Sequence, residues 1–114
     1  MKKLCSLFLI FAFGCSKPDE IAPTVSITFP EQNQVFAVGQ TVTVRATITD
    51  NEGIHMVHTI VTDNTGGHWV HTDSKTYDVN KTFTTISGKT YTIHVDATDH
   101  NENVTQKEIT VSSN

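Results

Sequence analysis

Thr41–Ile54, "TVTVRATITDNEGI", decides how the rest of the chain is read. Val42, Val44, Ala46 and Ile48 fall on alternate positions, with Thr43, Arg45 and Thr47 between them. Successive side chains of a strand point to opposite faces, so this period of two buries one face and leaves the other polar. "DNEG" (50–53) ends the run with residues that favour turns, and Ile54 opens the next apolar stretch. The same alternation recurs along the chain. "TVSITF" (24–29) sets Val25, Ile27 and Phe29 on one side, and "VHTIV" (57–61) does the same with Val57, Thr59 and Val61. "YTIHVDATD" (91–99) sets Tyr91, Ile93, Val95 and Ala97 against Thr92, His94, Asp96 and Thr98, while Ile109 and Val111 belong to a last strand. Turn signals separate these runs at Pro30–Asn33, "VGQ" (38–40), "DNTGG" (63–67), "SGK" (87–89) and "DHNEN" (99–103). No window of helical length carries a 3.6-residue stripe.

The size and spacing predict an all-β fold, an immunoglobulin-like antiparallel sandwich of about seven strands over residues 24–114. Upstream, "MKKLCSLFLIFAFGC" has two lysines, a short apolar run from Leu4 to Phe13, and a small residue before Cys15. The run is too short to span a bilayer, which takes about 20 apolar residues. Its anatomy is that of a cleaved secretory signal. Residues 1–14 are therefore expected to be a signal peptide, and 15–23 a short tether ending in "SKPDEIAP". The mature chain would keep one cysteine and form no internal disulfide. Losing Lys2 and Lys3 from eight basic residues, and none of twelve acidic ones, leaves a net charge of −6. That acidic, thinly aromatic surface is a poor partner for nucleic acid and for anionic lipid head groups, so no nucleic-acid partner is expected.

Gly14-Cys15 resembles the lipobox of bacterial lipoproteins, which implies that Cys15 becomes the first residue and carries lipid. "SKPDE" is similar to the acidic tracts that follow the lipidated cysteine in surface-exported lipoproteins of Bacteroidetes-type bacteria. "PTVSITFP" and "GQTVTVRATITDNEGI" resemble the opening strands of bacterial Ig-like domains, and "GKTYTIHVDATDHNEN" is similar to their sixth strand. The resemblance covers nearly all of residues 23–111 and places Tyr91 at the position of a tyrosine corner. It lacks the cysteine pair and the strand-C tryptophan of antibody domains, and Glu102 stands where the family usually has glycine. It implies a lipid-anchored, non-catalytic binding or accessory module of the bacterial outer membrane, exposed at the cell surface. Its partners would be the membrane, through the lipid, and another envelope protein or a glycan.

Six histidines in 114 residues raise a second expectation. His58–His71, "HTIVTDNTGGHWVH", reads as a hairpin. A four-residue loop from Asp63 to Gly66 would pair Thr62 with Gly67, His58 with His71, and Ile60 with Trp69. Parity then sets His58, His71 and His94 on one outer face of three neighbouring strands. Directly opposed side chains have Cβ atoms about 4.5–5.5 Å apart, so two imidazoles could share an ion. With Asp96 or Asp73 as an oxygen ligand, the set suits Zn²⁺ or Cu²⁺. A one-residue slip would exchange His71 for His68. The bland reading is a solvated polar face, and a third is a recognition surface built on Trp69 and Ile60.

Asp50 and Glu52 in one loop, with Asp99 and Asn101 in another, offer oxygens for Ca²⁺ at one end of the sandwich. Asp and Asn are also the ordinary residues of turns. Nothing points to catalysis: there is no G-x-S-x-G elbow, no thiol nucleophile in the mature chain and no phosphate-cradling glycine loop.

Overall fold

A computed structural model describes residues 20–62 and 67–114. Cys15 and the signal segment lie outside these residues, as do Asp63 to Gly66. Eight strands run in chain order: β1 (Thr24–Phe29), β2 (Val35–Phe36), β3 (Thr41–Thr49), β4 (Ile54–Val61), β5 (His68–His71), β6 (Thr76–Thr84), β7 (Thr90–Asp99) and β8 (Val104–Ser113). They form a three-stranded sheet in the order β1-β3-β6 and a five-stranded sheet in the order β2-β8-β7-β4-β5. Every pairing is antiparallel except that of the two-residue β2 with β8. The eighth strand is β2, too short to show any periodicity in sequence.

The alternating residues of the two sheets meet in the core. Val42, Val44, Ala46, Ile48, Val79 and Phe83 face Ile54, Val57, Val61, Tyr91, Ile93, Val95, Ala97 and Val111, all buried. Burying one such side chain contributes about 1.5–3 kcal/mol before the entropy of ordering it is subtracted. Tyr91 is fully buried, and its hydroxyl accepts the Ile86 amide at 2.8 Å, so the tyrosine corner is formed.

Two bulges break the alternation. One lies between Ile27 and Phe29, with the Thr28 hydroxyl donating to the Arg45 carbonyl. It turns Phe29 away from the core side expected of it, onto an edge-to-face contact with Phe36 at 6.2 Å. The other lies between Ile54 and Met56 where β4 pairs with β7. A bulge inserts one residue and re-aims its side chain. Here Ile54 and Val57 are buried, whereas His55 and Met56 are both half-exposed.

Candidate functional site: the outer face of the β5–β4–β7 sheet

The β4–β5 hairpin differs from the expected register by two residues. Met56 pairs with His71, Val57 with Val70, His58 with Trp69 and Thr59 with His68. Among the described residues the last pair is Thr59–His68. A two-residue shift preserves parity. His71 and Trp69 therefore share the outer face with His58, while His68 sits opposite the buried Thr59 at the sheet margin. What changes is who stands beside whom.

Across the next ladder His58 pairs with Asp96, and Ile60 with His94. His71, His58 and His94 thus fall on a diagonal, each displaced by two residues from the next. Two strands and four residues separate His71 from His94, about 13 Å along the strand direction alone. The expected pairing of His58 with His71 is corrected accordingly, as is that of Ile60 with Trp69. Among the described residues, no three His, Cys, Asp or Glu side chains present their donor atoms together as a metal site.

Each histidine of the diagonal has its own neighbours. His58 lies flat against the Trp69 indole, with ring centroids 3.7 Å apart and planes 5° from parallel. Its Nδ1 is 3.9 Å from Asp96 Oδ2, and its buried Nε2 has no hydrogen-bond partner. Gly67 closes over that nitrogen so tightly that a Cβ there would collide with it. His94 Nε2 stands 3.4 Å from Glu108 Oε2 on β8. Trp69 remains 56% exposed although it covers His58, and Ile60 is half-buried opposite His94.

Two histidines outside the expected set join His71. The bulge carries His55 to 5.6 Å from His71 and 4.6 Å from His100, ring centre to ring centre. His100, in the β7–β8 turn, holds its Nε2 2.9 Å from Asp73 Oδ1. A sequence signal for this existed: Ile54 and Val57 are both apolar but three apart, out of phase with a period of two.

The acidic loops use their carboxylates locally. Asp50 Oδ2 accepts the amides of Glu52 and Gly53, each at 2.9 Å, while its buried Oδ1 has no partner. Asp99 Oδ1 accepts the amides of Asn101 and Asn103 at 2.9 Å, and its Oδ2 accepts the Asn103 side-chain amide at 2.8 Å. Both aspartates thus anchor their own turns.

A family model described as "Bacterial Ig domain" matches residues 23–95, which takes in β1 to most of β7. The chain belongs to the bacterial Ig-domain family. Fibronectin(III)-like modules of Clostridium thermocellum CbhA are similar in structure, with a TM-score of 0.56 and 22% identity over 80% of this chain. At that identity the likeness concerns the fold. This chain spans 47% of that one, so it corresponds to about half its length. No curated protein matches. Ig-like domains are typically non-catalytic, which suggests a binding or accessory module.

Proposed function

We propose that this Ig domain is a lipid-anchored accessory module of the bacterial cell envelope that meets its partner, an envelope protein or a glycan, through the outer face of β4 and β5. One observation carries the choice of face: Trp69, the sole tryptophan, is 56% exposed on an edge strand while its ring is braced against His58. A stiff aromatic surface of this kind offers contact area with little side-chain entropy to lose, the property that enriches tryptophan in binding sites. Asp96 stands next to His58, and His94 with Glu108 continues the polar face across β7 and β8. The opposite side of the same strands is closed core, which leaves recognition to the surface.

Anchoring rests on the lipobox and is tested first. Cys15→Ala is expected to move the chain from the membrane fraction to the soluble fraction and to abolish radiolabelled palmitate incorporation. Unchanged partitioning would refute the anchor. For the surface, tryptophan fluorescence reports on this site alone, because Trp69 is the sole indole. Titration with envelope glycans and with isolated outer-membrane proteins should shift that emission, and Trp69→Ala should weaken binding at least tenfold. A partner that binds Trp69→Ala as tightly as the parent chain would show that the surface lies elsewhere.

A further inference from the structure

We propose that His55, His71 and His100, backed by Asp73, form a site for a divalent late transition-metal ion such as Zn²⁺. Three elements supply the imidazoles: the β4 bulge, the end of β5 and the β7–β8 turn. His55 is central, 5.6 Å from His71 and 4.6 Å from His100 between ring centres. Two imidazoles bound to one tetrahedral zinc, with Zn–N of about 2.0–2.1 Å, hold their ring centres about 5 Å apart. The two contacts of His55, with His71 and with His100, bracket that spacing, with the rings turned edge-to-face and tilted against one another rather than converging. Side-chain rotation is what separates the two arrangements. His100 and Asp73 are free to make it, with side chains 47% and 90% exposed.

The backbone under the cluster is held more firmly than the side chains. The Thr72 amide donates to the His55 carbonyl at 3.1 Å, and the Ile54 amide to the Ser74 carbonyl at 2.9 Å. These bonds clamp the segment carrying Asp73 onto the bulge. Gly53, at φ +129°, admits the same segment: a Cβ there would lie 3.2 Å from the Asp73 carbonyl oxygen and 3.9 Å from His100 Cδ2. Asp73, 2.9 Å from His100 Nε2, can serve as an oxygen ligand or orient the imidazole from behind, as carboxylates commonly do for metal-bound histidine. Imidazole and carboxylate suit Zn²⁺ and Cu²⁺, whereas Mg²⁺ and Ca²⁺ take oxygen ligands and gain little from nitrogen.

The test uses the full chain without a polyhistidine tag, titrated with ZnCl₂ while the imidazole ¹⁵N resonances are followed. The expected result is saturable one-to-one binding, with His55, His71 and His100 shifting together and His58, His68 and His94 unmoved. The thermal midpoint should rise with Zn²⁺ and fall back with EDTA, while MgCl₂ leaves it unchanged. His100→Ala, in an exposed turn, should weaken binding at least tenfold, and His94→Ala should leave it intact. Absence of saturable binding below 1 mM Zn²⁺ overturns the proposal. So does binding that His100→Ala does not weaken, or shifts centred on His58 and His94. The resonance shifts are read on the unmutated chain, so a variant that fails to fold leaves the proposal testable.

Discussion

Glu102 adopts φ +67° at the residue before Asn103, in the turn that Asp99 organises. An L side chain in the left-handed region costs about 1–2 kcal/mol, and glycine relieves that at the expense of about 0.5–1 kcal/mol of extra chain entropy on folding. Glu102→Gly is therefore expected to stabilise the domain by about 0.5–1 kcal/mol, read as a higher urea midpoint with an unchanged m-value. A lower midpoint would mean that the Glu102 side chain contributes more than its backbone strain costs. Tyr91 makes the opposite case. Its hydroxyl is the acceptor for the Ile86 amide, while its ring packs 4.9 Å from Phe83. Tyr91→Phe preserves the ring and removes one hydrogen bond, for an expected loss of about 1–2 kcal/mol. Equal urea midpoints for the two proteins would show that water replaces the hydroxyl without penalty.

Among the elements, β1, β3, β4 and β7 were legible in the sequence because one face of each is buried and their alternation is nearly unbroken. β6 was harder to see. Tyr77, Val79, Lys81 and Phe83 share its inward parity, so a lysine interrupts the apolar series. Lys81 can occupy that position because β6 is a sheet edge, where a long stem lies on apolar surface while the ammonium reaches water. An inward charge at an edge also discourages pairing with another chain. The outward facing of His58 and His94 could be read from parity, but not their neighbours, since loop length sets register and parity is blind to a shift of two. That is why the expected trio dispersed and the bulge at His55 assembled a different one. β5 holds four residues and pairs on one side, whereas β4 and β7 are hydrogen-bonded on both. Amide exchange should accordingly be slowest at Val57 and Val95 and faster by at least two orders of magnitude at His68 and Val70. Uniform protection across the sheet would mean that β5 opens only with global unfolding.

At the scale of the whole molecule, the strand directions determine which end of the sandwich lies nearest the tether. β1 begins at Thr24, paired with Thr49, so the chain enters the domain beside the Asp50–Gly53 loop and the Asp99–Asn103 turn. The chain ends at the other pole, where the Gly88 amide donates to the Asn114 carbonyl and the Gly39 amide to that of Thr85. The ten residues of β7 separate the two poles by about 33 Å. Nine tether residues reach at most about 30 Å fully extended, and less on average. With Cys15 lipidated as proposed, the pole carrying His55, His71 and His100 is therefore held nearer the bilayer, and the Gly88 pole points away from it. A fluorophore placed at Asn101→Cys in the lipidated chain should be quenched by nitroxide head-group lipids more strongly than one at Ser87→Cys. Equal quenching at the two positions would show that the domain tumbles freely on its tether, and neither signal should survive in the Cys15→Ala background.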